Sequence, residues 1–233
     1  MEKLNNLLRT FNGGTSSEDS INKEFAKLAK NLLYGGHFRV MDSKNIYLEE
    51  IEFYYHEENG SIKDPIMYHT NDHAPEGKAL PYFKIGRFNM HASGVDVTFE
   101  NEEKQYRASF LIRAYSIDNG KKIPNSTFIY DDMFFMGIPT DEPIEIEWVE
   151  DEMDEKNKNL DLEGTWRRNV PEYEKDDKGA YKRDDEGKYQ KVVTKETGDD
   201  TFACGKVRHE ECRRYKKCGR KWRFIKLKRS SCA

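Results

Sequence analysis

The segment Leu48-Glu49-Glu50-Ile51-Glu52-Phe53-Tyr54-Tyr55 sets carboxylates among aliphatic and aromatic residues with the alternation of a strand. Side chains two apart share a strand face, so Glu50, Glu52 and Tyr54 line one side. Glu49, Ile51, Phe53 and Tyr55 line the other, which reads as the buried one. A carboxylate held on such a strand can take a proton from water as a general base, and neighbouring rings can hold a planar substrate. The following stretch, 56–81, contains Asn59-Gly60, Asp64-Pro65, Pro75, Gly77 and Pro81, too many breakers for regular structure. Long loops inside a domain are usually functional or disordered, and Tyr68, His69, Asn71 and His73 favour function for this one. The competing reading of the strand is a half-exposed one with a solvated acidic face.

Other constellations carry less. His69, His73 and His91 invite a metal reading, but no cysteine accompanies them, and Asp72 and Glu76 are ordinary in a polar loop. Cys204, His209, Cys212 and Cys218 lack the closely spaced cysteine pair of a zinc knuckle. Tyr173–Tyr181 is nearly repeated by Tyr181–Tyr189, each half turning at Asp-Asp-x-Gly between tyrosines, which predicts a polar hairpin over 171–191 and lacks the spacing of a calcium loop. Nucleophile elbow, phosphate-binding loop and dinucleotide fingerprint are all missing. Neither a metal nor a cofactor is expected.

The elements that must position these residues read as α+β. Ile21, Phe25, Leu28 and Leu32 form one apolar stripe of a helix over 21–33, with Asp19 or Ser20 as its N-cap and Gly35-Gly36 as its stop. Residues 37–40 and 46–55 alternate as two strands joined at Asp42-Ser43-Lys44-Asn45. Further strands are predicted at 82–88, 94–100 and 106–115, and 144–149 resembles an edge strand. The expected fold is a single mixed domain over 21–233, with a curved, mostly antiparallel sheet, a helix near its start and the inserted polar hairpin. Residues 1–20 are expected to be a flexible segment.

At 233 residues the chain suits one large domain or two small ones. Its composition is 36% hydrophobic and 35% charged, with a mean hydropathy of −0.96, so the core must lean on the 13 Phe and 13 Tyr. No apolar run approaches the roughly 20 residues of a membrane helix. The opening Met1-Glu2-Lys3-Leu4-Asn5-Asn6 lacks the apolar centre of a secretory signal. All four cysteines fall in the last thirty residues, unlike a disulfide framework. These features predict a soluble, cytoplasmic protein with no membrane partner. The net charge of −4 conceals an asymmetry: 141–163 holds eleven acids against two lysines, and 203–233 holds twelve Lys and Arg against two Glu. The basic segment also carries Tyr215, Trp222 and Phe224, so it can neutralise phosphates and offer rings to bases. A solvated tail, or one folded onto the acidic stretch, is the alternative.

Five segments, in order, resemble the alkyladenine (3-methyladenine) DNA glycosylase family. Residues 25–35, Phe-Ala-Lys-Leu-Ala-Lys-Asn-Leu-Leu-Tyr-Gly, are similar to its early helix. Glu50-Ile51-Glu52-Phe53-Tyr54 resembles its Glu-Thr-Glu-Ala-Tyr strand, and Asp64-Pro65-Ile66-Met67-Tyr68-His69 its Asp-x-x-x-His loop. Phe110-Leu111-Ile112-Arg113-Ala114 resembles its Leu-(Leu/Ile)-Arg-Ala strand. Arg220-Lys221-Trp222-Arg223-Phe224-Ile225 resembles its C-terminal strand.

The resemblance implies excision of a flipped, modified purine from double-stranded DNA by hydrolysis of its N-glycosidic bond. It implies Glu52 as general base and Arg113 as the holder of the water and a phosphate. Tyr54 and His69 would stack on the base. Asp96 falls where the family usually carries a purine-discriminating Asn, and a carboxylate accepts hydrogen bonds without donating, so the accepted base should differ. The family's Arg-Asn segment and the strand with its intercalating ring are missing, leaving Tyr82, Phe83 or Phe88 as substitutes. Arg220, Lys221 and Arg223 of the basic segment would contact nucleic acid. A second class stays open: a nucleic-acid-binding or sensor protein on the same fold, without excision.

Overall fold

The 14-residue strand β2 (Lys44–Glu57) is the spine onto which the other elements pair. The structure, a computed structural model, describes residues 1–14, 17–75, 77–135, 143–167, 174–178, 180–185, 187, 190 and 220–227. One edge of β2 pairs along its length with β5 (Tyr106–Ile117). Its other edge pairs first with β1 (Gly36–Val40) and then, further along, with β7 (Arg223–Ile225). Adding β3 (Phe88–His91), β4 (Gly94–Thr98) and β6 (Ile146–Glu150) gives a seven-stranded antiparallel sheet in the order β3-β4-β5-β2-β1-β6, with β7 beside β2. With helices packed against it, this is the expected single-domain α+β fold, and the C-terminal strand joins the sheet that carries Glu52.

The pairing register divides the sheet into two chemically different faces. Directly opposed residues point the same way, so Ile51↔Ile112, Phe53↔Phe110 and Tyr55↔Ala108 form an apolar face. Helix α2 (Glu18–Tyr34) covers it: Phe25 stacks on Phe53 with centroids 4.3 Å apart, and Trp222 meets Phe25 edge-on at 5.2 Å. The helix is capped by Ser17, whose side chain accepts the Ser20 N–H, ahead of the cap predicted from Asp19 or Ser20. The first twenty residues are not merely a flexible lead. They contain α1 (Glu2–Arg9), and Leu4, Leu8 and Phe11, at spacings of four and three, are buried in the core.

The other face carries Glu52, Tyr54 and His56 of β2 opposite Leu111, Ser109 and Arg107 of β5, with Asp96 of β4 opposite Leu111. It is not solvated. Glu50 and Glu52 are 2% and 0% exposed: Arg223 and Lys122 pair with Glu50, and Arg113 and Tyr54 bond Glu52. Arg107, fully buried, holds the long loop that follows β2 in place. Its guanidinium pairs with Glu58 and Glu100, donates to the Leu80 and Pro81 carbonyls at 2.6 and 3.0 Å, and stacks on Tyr82. Arg167 forks onto both Asp64 oxygens at 2.6 and 3.2 Å. Burial pushes the Asp64 carboxyl up, but the Arg167 guanidinium outweighs it and holds the group below its ordinary range.

The strand predicted over 82–88 starts only at Phe88. Gly86, at φ +75°, turns the chain, and Thr98 bonds the backbone of Lys84, Gly86 and Arg87. In the stretch expected to be a polar hairpin, Lys175 bridges Tyr181 in antiparallel register, and Lys182 pairs through its backbone with Glu174 and Gln190. The remaining residues of 171–191, the four cysteines with His209, and 203–219 of the basic segment lie outside the described residues. Two short helices, α3 (Ile129–Phe134) and α4 (Glu155–Lys158), complete the fold. No described helix is long and apolar enough to cross a membrane.

Candidate base-binding cleft

The polar face of the sheet and the loop above it enclose a cleft of about 240 Å³. Tyr54, Ser109 and Arg113 come from β2 and β5, and Asp96 and His91 from β4 and β3. Ile66, Met67, Tyr68 and His69 come from the loop. Ligand clefts commonly span about 300–1,000 Å³, so this one suits a single small ring system. Four of the five residues expected to converge on a site (Tyr54, His69, Asp96 and Arg113) line it.

The fifth, Glu52, lies one layer deeper. Its Oε1 accepts a hydrogen bond from Tyr54 Oη at 2.7 Å and another from Arg113 Nη2 at 2.6 Å, and Nη2 also reaches the Tyr54 oxygen at 3.3 Å. Glu52 is thus beneath Tyr54 and Arg113 and is not itself among the lining residues. Burial, followed by the Glu52 carboxylate, lifts the Tyr54 phenol well above its ordinary value, which keeps Tyr54 a donor to Glu52 at neutral pH. The cluster holds a carboxylate and a guanidinium in one fixed geometry under the cleft floor, an arrangement that can orient a water and take its proton.

The walls are rings. Tyr68 meets His69 and His91 edge-on, with centroids 5.4 and 5.6 Å away, and its hydroxyl accepts from Asn89. Burial and then Asp96 push the Tyr68 phenol up to about 12. His69 Nε2 stands 2.8 Å from Glu100, which itself pairs with Arg107 and accepts the Phe83 N–H at 2.7 Å. The imidazole thus faces the cleft with Glu100 directly behind it. Among the described residues no group of three His, Cys, Asp or Glu side chains is arranged to hold a metal ion.

The residues expected to touch nucleic acid are placed differently. Phe88 packs on Phe38 and Phe134 against the core, Phe83 lies between His69 and Arg87, and Tyr82 lies under Arg107. None of the three projects as a wedge. Arg223 is 4% exposed and bonds Glu50 at 3.0 Å and the Trp166 carbonyl at 2.8 Å, so it is occupied inside the sheet. Arg220 pairs with Glu18, donates to the Lys63 carbonyl and stacks on Trp222. Of the three basic residues only Lys221 is exposed.

A large exposed ring at the cleft is instead Tyr68, 48% exposed. Ser109 is a lining residue that none of the motifs singles out. It belongs to the polar row Arg107, Ser109, Arg113, which alternates at even spacings with the apolar residues of the strand up to Ala114, a pattern legible in the sequence.

Comparison of the chain with protein-family models, with curated proteins and with solved structures finds no match. The functional reading therefore rests on the site's own chemistry, with the five short resemblances beside it.

Proposed function

We propose that the protein is a nucleic-acid-binding N-glycosylase that takes one base out of a double-stranded DNA and hydrolyses its N-glycosidic bond. The observation that carries the reading is the Glu52–Arg113 pair, 2.6 Å apart, beneath a ring-walled cleft of single-base size. A flipped base enters between Tyr54, Tyr68 and His69, which offer π-faces, while Asp96 reads its edge. Arg113 orients a water at the floor. As its oxygen bonds the sugar carbon, the carbon–nitrogen bond breaks, the base leaves with that electron pair, and the water's proton passes to Glu52. Tyr54 holds Glu52 in position. Tyr68, exposed at the cleft, is the group on hand to fill the gap left in the stack. Lys221 and the basic charges of 203–219 are the source of phosphate attraction.

One observation favours a second reading. Glu52 does not line the cleft, so the same pocket can capture a base without reaching the carboxylate, as a sensor would. Measuring base release beside binding separates the two. Release of a free base from alkylated or deaminated duplexes supports the enzyme. Binding of such duplexes with no release from any of them supports the sensor.

A further inference from the structure

Asp96 is 3% exposed and lines the cleft, yet its Oδ1 has no hydrogen-bond partner. A buried carboxylate oxygen left unmatched is costly, so such a group points to a partner that arrives with the ligand. Its other oxygen lies 3.3 Å from His91 Nε2. The Ser93 N–H donates to His91 Nδ1 at 3.3 Å, so it is Nε2 that faces Asp96, and that nitrogen too is without a hydrogen-bond partner. Ser109, on the same face of the sheet, is also buried and lines the cleft, and its Oγ is likewise without a partner.

These two groups ask for complementary things. The carboxylate only accepts, whereas the hydroxyl can donate. A ligand edge that satisfies both carries N–H donors for Asp96 and an acceptor for Ser109. Resting on the base-binding reading above, we propose that the cleft selects a guanine-type ring, whose edge runs carbonyl, ring N–H, exocyclic amino group. Ser109 takes the carbonyl and Asp96 takes the two donors. Hypoxanthine keeps the carbonyl and ring N–H but lacks the amino group. Adenine turns an unprotonated ring nitrogen toward the carboxylate, lone pair against lone pair. A site built around a hydrogen-bonding group rejects the analogue that lacks it, because its own buried polar atom is then stranded.

The same edge is offered by a free nucleoside and by a base in a strand, so the test has two arms. Guanosine, inosine and adenosine are titrated against the full-length protein by calorimetry. Hairpin oligonucleotides with one unpaired guanine, hypoxanthine or adenine are titrated by fluorescence anisotropy at fixed salt. The expected result is guanine bound about ten- to a hundredfold more tightly than hypoxanthine, the range of one hydrogen bond to a charged group, with adenine weaker than guanine. Preference in the strand arm alone assigns the ligand to nucleic acid, and preference in the nucleoside arm alone assigns it to a free molecule. In Asp96→Ala the guanine-to-hypoxanthine ratio should fall to about one, with hypoxanthine itself weakened by the loss of its ring N–H partner and guanine weakened more, and Asp96→Asn, which conserves shape, should lower the ratio severalfold. Equal affinities of wild type for guanine and hypoxanthine would overturn this assignment while leaving base binding intact. If no base binds in either arm, both readings fall.

Discussion

Glu52 of β2 and Arg113 of β5 meet at 2.6 Å on the polar face of the sheet, and Tyr54 donates to the same carboxylate oxygen. The Glu52 strand turns its apolar side to the helices and this ionic side to the cleft. A single period of two therefore builds both the core and the candidate site.

The buried pair Arg167–Asp64 holds the loop that supplies Tyr68 and His69. Removing one partner leaves a stranded charge, so Arg167→Met or Asp64→Leu alone should destabilise the protein by about 3–5 kcal/mol. The double variant should be less destabilised than the sum of the two. Denaturant unfolding measures all three. A loss under about 1 kcal/mol in both single variants would remove this pair as the anchor.

Acid should weaken the fold through His56. Burial lowers its imidazole to about 4, Lys63 acts in the same direction, and the Asp72, Glu58 and Asp64 carboxylates oppose them. Unfolded, the group titrates near 6.5, so between about 6.5 and about 4 the unfolded chain binds more protons. Stability from this group is complete above about 6.5 and declines as pH falls toward about 4. His56→Gln keeps an acceptor for the Asp64 N–H, which bonds His56 Nδ1 at 3.1 Å, but cannot titrate. Its melting temperature should fall less between pH 7 and pH 5 than that of wild type. Parallel profiles would locate the acid sensitivity in other groups.

Affinity for duplex DNA should drop steeply with salt, and the residues responsible are not those the C-terminal motif suggests. Arg220 and Arg223 are engaged in ion pairs, so replacing them should damage the fold around Glu50 and Glu18. Replacing Arg213, Arg214, Lys216 and Lys217 with Gln should flatten the log–log salt dependence by up to about 0.9 for each phosphate that is no longer neutralised. An unchanged slope would place the DNA on another surface.

Much of this arrangement is legible in the residue pattern. The 3.6-residue stripe of α2, its glycine stop, the β1–β2 hairpin and the convergence of Tyr54, His69, Asp96 and Arg113 follow from periodicity and from the five short resemblances. The burial of the acidic face does not. Glu50 reads as solvent-facing because its partner Arg223 is 173 positions away, and Asp64 finds Arg167 only after 103. Charges look exposed until the fold supplies opposite charges from remote segments. For the same reason Arg223 resembles a phosphate ligand in sequence and is an internal brace in the fold. The α1 helix carries its signature, Leu4 and Leu8 one turn apart, within a stretch whose Gly13-Gly14 suggests flexibility.

The central claim is that Glu52 removes a proton from a water held by Arg113 as a base leaves the sugar. The direct measurement is single-turnover base release from alkylated and deaminated duplexes by wild type and Glu52→Gln, with binding to the same duplexes measured in parallel. Wild type should release a base. Glu52→Gln should release it about 10²–10⁴-fold more slowly while binding at least as well, since a negative charge near phosphate has been removed. Release by Glu52→Gln at the wild-type rate, or no release by wild type from any duplex it binds, would contradict the account.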